Sequence, residues 1–381
     1  GNGDRIGTVI VDTYEASPFK DMGTANPNGS QRYYIGHVDW TGFNGLMEYT
    51  GSDKFSAVLQ VGTSSQKYQW EGFYTAAPST LSRKITVTGG YIKGGANYRA
   101  NDNSNFFFNV GQIMRPPSFD GVFPNADYDF EEADEILNES FTSFELGYGF
   151  RSSNFKATIN AYHTVWGDRT LRRSTSIDDQ GVRIIYSGVE QTHQGVEGEM
   201  TWYPSNRLRI KGMVSLGDWK YTKNFQGDAY FIDNNQPAGN TGTLYLDGVK
   251  IGDAAQTVLY LGFDYKLSSK LSVDLDMMSY DNLHGRFGPL DSEFNSADNR
   301  GSIKLPSWGT ADLGATYSFN LLGYDARARL NVNNLFDEEY LSQSQTNFHN
   351  DGGRTWNGVN VENNVYFGKG TTWNLGLNIN F

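Results

Sequence analysis

The chain has 381 residues, 38% of them hydrophobic and 14% aromatic, with a formal net charge of −12. No stretch approaches the roughly 18 uninterrupted apolar residues of a membrane-crossing helix, which excludes a helical transporter, and 24 Phe, 23 Tyr and 8 Trp are more surface to bury than a disordered chain carries. With 0 Cys there is no disulfide framework, thiolate metal site or thiol nucleophile, and the acidic balance argues against nucleic acid as a partner.

Residues 1–31 read as loop, opening on Gly1-Asn2-Gly3-Asp4-Arg5 without the charged and apolar regions of a signal peptide. From residue 32 to 381 the apolar pattern has period two, the strand period. Strands are predicted near 34–49, 55–74, 84–100, 105–115, 140–150, 155–168, 186–203, 208–222, 256–266, 271–284, 307–319, 326–335 and 370–381. The last is the clearest: Trp373, Leu375, Leu377, Ile379 and Phe381 alternate with Asn374, Gly376, Asn378 and Asn380. Such a strand turns one face to something apolar and the other to something wet.

The connections alternate in length. Short turns fall at 50–53, 101–104, 151–154, 204–206, 268–269 and 320–325, and long polar loops at 75–83, 116–139, 169–185, 223–255, 285–306 and 336–369. A soluble sandwich has no reason to sort its loops this way, whereas an outer-membrane barrel carries tight turns on its periplasmic rim and long loops outside. The predicted strands match or exceed the roughly 9–11 residues that cross a bilayer at a tilt. Trp70, Trp166, Trp202, Trp219, Trp308 and Trp373 lie near strand ends, where an aromatic girdle would sit. The expected fold is therefore all-β, a transmembrane antiparallel β-barrel. Bacterial single-chain barrels close with an even number of strands, so an odd count after an opening loop points to the C-terminal part of a larger barrel.

Four motifs in register carry a family resemblance. Arg115-Pro116-Pro117-Ser118-Phe119 resembles the "R-x-P-S-F" strand-to-loop motif of TonB-dependent outer-membrane receptors. Ile136 to Ser140, then Phe144-Glu145-Leu146-Gly147, is similar to their "L-x-P-E … E-L-G" segment, with Asn138 in the usual Pro position. Val332-Asn333-Asn334-Leu335-Phe336-Asp337, followed by Tyr340, resembles "V-x-N-L-F-D-x-x-Y", and the terminal strand resembles the family's C-terminal signature. Lys93-Gly94-Gly95-Ala96-Asn97-Tyr98 looks like the Bacteroidota-type version of its strand. The resemblance implies about 13 C-terminal strands of a barrel of about 22, with 1–31 an extracellular loop and 32–381 barrel wall.

It further implies import of a scarce nutrient, with an iron-siderophore, haem or corrinoid ranked above glycans or peptides. The expected partners are the TonB complex, reached through an N-terminal segment missing here, the receptor's own plug domain, also missing, outer-membrane lipid and lipopolysaccharide, and a small-molecule nutrient. A surface lipoprotein lid is a further option. A passive channel or surface adhesin barrel without TonB coupling is the alternative.

Candidate residues follow from charge and chemistry. On the wet face, Glu199, Arg209, Lys211, Asp274, Asp276, Arg327 and Arg329 form either a plug-docking surface or a solvated, internally paired wall. Assumed hairpin register sets Thr201 opposite Arg209 and Glu199 opposite Lys211. Arg169, Arg172, Arg173 and Arg183 suit an anionic siderophore, since guanidinium matches carboxylate and phosphate oxygens; pairing with the acidic neighbour loop or with lipopolysaccharide is the other reading. That neighbour holds Asp120, Asp127, Asp129, Glu131, Glu132, Asp134, Glu135 and Glu139 without a base, and without the regular spacing of a calcium loop. Phe225 to Gln236, and Asn347 to Asn364 with Phe348, Arg354 and Trp356, offer stacking surfaces for a sugar, haem or corrin ring. The five histidines, His37, His163, His193, His284 and His349, accompany no serine elbow or metalloprotease motif, so no enzyme, cofactor or metal site is expected.

Overall fold

A computed structural model describes residues 34–72, 80–123, 132–133, 136–177, 180–231, 237–288 and 292–380. The predicted loop 1–31 lies outside the described residues, as do Asp127, Asp129, Glu131, Asp134, Glu135 and the end of the Phe225 to Gln236 stretch. The strands are β1 (Tyr34–Tyr49), β2 (Phe55–Gly72), β3 (Thr80–Leu81), β4 (Ile85–Asn101), β5 (Ser104–Arg115), β6 (Glu139–Arg151), β7 (Phe155–Ile177), β8 (Gln180–Ser205), β9 (Leu208–Tyr221) and β10 (Phe225–Phe231). They continue with β11 (Pro237–Leu244), β12 (Thr257–Lys266), β13 (Leu271–Asp281), β14 (Trp308–Leu321), β15 (Tyr324–Asn333), β16 (Leu341–Ser344), β17 (Thr355–Trp356), β18 (Val359–Asn360), β19 (Val365–Phe367) and β20 (Thr372–Asn380). Among the described residues a short α-helix, α1, spans Phe119–Val122 and a 3-10 turn spans Ser292–Asn295.

Every predicted strand is present, in a 16-stranded sheet whose main path follows the chain: β1-β2-β4-β5-β6-β7-β8-β9-β12-β13-β14-β15-β20. Four predicted loops hold further strand structure, 75–83 only in the short β3 that pairs with β2. Residues 169–185 continue the β7–β8 hairpin to the pair Ile177↔Gln180, because β-branched and apolar side chains such as Val182 and Ile184 keep alternating and find burial. Residues 223–255 contain β10 and β11, with β10 paired to β8. Residues 336–369 contain the small hairpins β16–β19 and β17–β18.

The two faces stay in phase from strand to strand. Along β13, Leu271, Val273, Leu275 and Met277 stand opposite Tyr317, Ala315, Leu313 and Ala311, while Ser272, Asp274 and Asp276 stand opposite Thr316, Gly314 and Asp312. The same apolar row ends in Leu375 and Leu377 of β20, 67% and 60% exposed. Trp202 and Trp373 share this exposed row at its strand ends, but Trp70 is buried, Trp308 is stacked between two tyrosines, and Trp166 falls in mid-strand because β7 is longer than predicted.

Contact density divides the chain into two compact units. The smaller draws on Leu59–Lys93 and Gln112–Phe141 with residues up to Met47. Its core is Tyr68, Trp70, Ile85, Val122 and Phe123, against which Tyr34, Phe119 and Ile136 pack. In the larger unit, two cores lie beside the sheet. Val182, Ile184, Tyr186, Val189, Phe225, Leu244, Leu246 and Phe294 make one, and Leu283, Ile303, Leu305, Leu341 and Val359 the other. Each fully buried large apolar side chain contributes roughly 1.5–3 kcal/mol, so the connecting segments here are folded bodies with cores of their own.

Candidate functional site

The polar face of the larger unit carries a connected set of ion pairs. Arg209 Nε donates to Asp264 Oδ2 at 2.8 Å, Lys211 Nζ reaches Asp264 at 3.5 Å and Asp276 Oδ1 at 3.0 Å, and the Tyr260 hydroxyl donates to the same Asp276 oxygen. Arg329 donates twice to Asp274, at 2.9 Å each, and once to Thr316 at 3.0 Å. Three cations and three carboxylates thus cancel.

Glycines make these pairs possible. Gly262 stands in register between Lys211 and Asp276, and a Cβ there would lie 2.6 Å from Asp276 Oδ1 and 2.8 Å from Lys211 Cε. Gly314 stands opposite Asp274, and Arg329, opposite Thr316, reaches diagonally over it, a Cβ at Gly314 falling 2.6 Å from the Arg329 Nη2. At each glycine the middle strand offers no side chain, and groups from its two neighbours meet over it.

The assumed β8–β9 register is corrected. Thr201 faces Lys211 and Glu199 faces Met213, because the chain turns through Asn206 and Arg207 alone and a register shift follows Trp202. The carboxylate partners of Arg209 and Lys211 consequently come from β12 and β13, not from β8. Arg327 shares the face of Arg329 but makes no ion pair among the described residues.

Of the four arginines near the β7–β8 tip, the structure separates three situations. Arg169 follows a bulge after Trp166, with Asp168 at φ 56, and folds its guanidinium 3.8 Å over the Trp166 ring. Arg172 and Arg173 pair through their backbones with Ile185 and Ile184, and their side chains lie outside the described residues. Arg183 is 6% exposed and lies over the Tyr230 ring at 5.9 Å. It is therefore packed inside the folded segment, where no solute reaches it without rearrangement.

Gln191 and Tyr221, absent from the sequence-based candidates, stand in register with Trp166, the ring under Arg169. Trp166, Gln191 and Tyr221 occupy one row across β7, β8 and β9, and Tyr221 packs 5.7 Å from Phe287, whose neighbour Arg286 lies 3.5 Å from Asp253. No spacing in the sequence links residues so far apart.

The last long segment is tied down by amides. Asn334, at φ 47 and 5% exposed, donates from Nδ2 to Glu338 O and Lys369 O and accepts the Glu338 N–H at Oδ1. Asp337 accepts the Thr371 N–H at 2.7 Å, and Tyr340 stacks on Trp308 at 3.8 Å between centroids. The Asn334-to-Tyr340 motif thus clamps the start of the segment to its end. Asn363 and Asn347 act similarly further out, accepting the Phe348 and Ile303 N–H groups. Trp356 meets Phe367 edge-on at 5.1 Å and packs on a buried core, whereas Phe348 is 51% exposed and Arg354 is exposed. His349 lies 3.0 Å from Gly301 O. Arg300 bridges Glu293 and Asp351 at 2.8 and 2.6 Å, and its hydrogen bonds hold the Glu293 carboxyl far below the usual range, at about 2.

In the smaller unit the Arg115-to-Phe119 motif is likewise an anchor. The Tyr68 hydroxyl donates to Pro117 O at 2.8 Å, Arg115 pairs with Glu139, and Phe119 stacks at 5.8 Å on Tyr34. Asn138, where a Pro is usual, donates to Thr88 O at 2.8 Å, which a proline has no group to do. Glu132 forks onto Arg83. Among the described residues no group of three or more His, Asp or Glu is placed to hold a metal ion.

Comparison with known proteins adds the following. The profile of a family described as TonB dependent receptor-like, beta-barrel, matches residues 4–335. The siderophore receptor PiuA from Acinetobacter baumannii has a similar structure at TM-score 0.63 and 14% identity, over 91% of this chain and 43% of that one. The ferric-catecholate import receptor Fiu from E. coli K12 gives 0.59 and 15% over 91% and 45%. The FrpB iron transporter from Neisseria meningitidis gives 0.58 and 16% over 95% and 48%. At such identities the likeness is one of fold. The chain spans less than half the length of these three solved chains. No curated protein matches its sequence.

Proposed function

Because the chain belongs to the TonB-dependent receptor-like β-barrel family, we propose that it supplies wall and ligand-capturing segments to a receptor that imports an iron-siderophore, haem or corrinoid across the bacterial outer membrane. The observation that carries the reading is the division of one sheet into an exposed apolar row, a self-neutralised polar row, and folded bodies built from the long connections. An apolar row this exposed needs an apolar medium, which lipid provides. The paired polar row leaves few free charges to hold a charged solute in passage. The folded connections offer rigid, aromatic and cationic surface for capture.

On this reading energy comes from the TonB complex through an N-terminal segment beyond this chain, a plug domain occludes the lumen, and lipopolysaccharide surrounds the outer rim. The description of structural neighbours as siderophore and iron receptors supports taking iron-siderophores as the first solutes to test. A surface lipoprotein partner is a separate proposal with no structural feature favouring it. The test is growth of the native cell and a deletion strain under iron limitation on single supplied siderophores, haem or cobalamin. The reading expects the deletion to abolish use of one solute and the restored gene to recover it. Unaltered growth on all of them, with altered permeability to small solutes, would favour a passive channel.

A further inference from the structure

We propose that Lys220, Lys250 and Lys304 form a docking site for the phosphate of an outer-leaflet lipid, lipid A, on the exposed apolar side of the sheet; this rests on the barrel standing in the outer membrane and not on which solute it imports. All the residues concerned belong to the larger compact unit. Ala161, Val196 and Leu216 stand in one row across β7, β8 and β9, and two residues nearer the long connections, on the same side of each strand, come His163, Gln194 and Asp218. The apolar side ends there. His163 Nδ1 lies 3.1 Å from Gln194 Oε1, and Gln194 Nε2 donates to Asp218 Oδ2 at 3.1 Å. Lysines gather around this ladder: Lys250 donates to Asp218 Oδ1, and Lys220 sets its Nζ 3.2 Å from Oδ2. β13 makes the same change, where Asp281, in register with Thr257 and through it with Leu216, takes Lys304 at 2.8 Å. The Ser302 hydroxyl donates to Lys250 O at 2.9 Å, which ties the stretch carrying Lys304 to the one carrying Lys250.

Two features single out a lipid phosphate. Lys220 and Lys250 are paired directly across strands, an unfavourable placement for like charges, and they share the one carboxylate of Asp218. An anion between them relieves the repulsion, and all three lysine side chains stay open to one, at 38%, 37% and 49% exposed. The second feature is what lies below. Val196, Leu216 and Leu259 are exposed directly on the apolar side of the lysines. Ammonium groups at the edge of an exposed apolar surface match an amphiphile whose anionic head and acyl chains enter different media. A free ion or an acidic protein segment would engage the amines and leave the apolar rows unused. The edge in question is the one with the long connections, the outer side of such a barrel, where the leaflet lipid is the phosphorylated lipid A.

The test uses the full natural protein, delipidated in detergent and titrated with lipid A bearing both phosphates or with its dephosphorylated form, bound lipid being counted by native mass spectrometry. Saturable binding of the phosphorylated form is expected, weakened about fivefold by Lys220→Gln or Lys250→Gln, as loss of one lysine beside an anionic headgroup implies, and largely kept in Lys250→Arg. Leu216→Ser should weaken both forms of the lipid alike. Lys266→Gln, at the opposite end of β12, should bind like the natural protein. Heat-modifiable migration of each variant reports folding. Equal binding of the two lipid forms, or natural affinity in a folded Lys220→Gln, Lys250→Gln double variant, overturns the site. Displacement of lipid A by an equal concentration of inorganic phosphate overturns the lipid as its occupant. Phosphate-dependent, variant-sensitive lipid binding in a protein that imports nothing leaves the site standing and overturns the receptor reading instead.

Discussion

Lys211 meets Asp276 across an intervening strand: Nζ and Oδ1 are 3.0 Å apart over the backbone of Gly262. The distance depends on what β12 lacks at that position. A diagonal version occurs across β14, where Arg329, in register with Thr316, reaches Asp274 over Gly314. A glycine inside a strand ordinarily weakens it, so two of them at these registers mark where side chains from flanking strands must touch.

Gly262→Ala should accordingly destabilise the protein by about 1–3 kcal/mol, the usual cost of forcing atoms into a packed site. Gly262→Ala combined with Asp276→Ala should lose less than the sum of the two single changes, since the second relieves the clash created by the first. Denaturant unfolding of the full protein in detergent measures this. Strict additivity would show that the glycine serves something other than the ion pair.

Asn334 should be more sensitive than any surface asparagine. It holds a left-handed backbone conformation and satisfies three backbone groups at both ends of the 336–369 segment. Asn334→Ala should cost roughly 2–4 kcal/mol through unpaired polar groups and backbone strain. Limited proteolysis should then cut within 336–369 while the barrel strands stay intact. An Asn334→Ala protein with natural protease resistance would remove the clamp from the account.

Acid should loosen the Glu293–Arg300–Asp351 bridge late. The Glu293 carboxyl is held at about 2, against an ordinary value of 4.5, chiefly by hydrogen bonds from Arg300. A carboxyl depressed in the folded state adds stability that is complete above its ordinary value and is lost as the pH falls from there toward the depressed one. Hydrogen exchange at 292–302 should therefore be well protected at pH 6 and progressively less so from about pH 4.5 toward 2. In Glu293→Gln that protection should be lower at pH 6 and nearly flat with pH. Equal pH dependence in both proteins would assign the effect to other groups.

Tyr68→Phe should loosen the Arg115-to-Phe119 turn without disturbing the strands. It deletes the hydroxyl that donates to Pro117 O at 2.8 Å while keeping the buried ring. Loss of about 1–2 kcal/mol is expected, with faster hydrogen exchange at 119–123. Unaltered exchange there would show that ring stacking on Phe119 suffices.

Much of the fold was legible because period-two alternation is a local signal. The main-path strands fall where Leu271 to Met277 or Trp373 to Ile379 alternate, to within a few residues for most. The β7–β8 ends were missed because Arg169 to Arg183 is rich in charge and reads as loop, while the burial that makes it sheet comes from Phe225, Leu244 and Phe294, far along the chain. The ion pairs of Arg209 and Lys211 were legible as residue types but not as partners: a two-residue turn shifted the register and moved their carboxylates to other strands. The row of Trp166, Gln191 and Tyr221 had no sequence signal, since it arises from the pairing of three separate strands. Phe348 and Arg354 lie exposed on the last segment, but Trp356 belongs to its core.

The most direct test of the central claim is to measure cell-surface binding and internal accumulation of the solute identified by growth, with and without a protonophore. An energised receptor predicts that binding persists while accumulation stops, because the protonophore removes the gradient that drives TonB. Accumulation that continues down its concentration gradient, insensitive to the protonophore, would contradict it and leave a passive barrel.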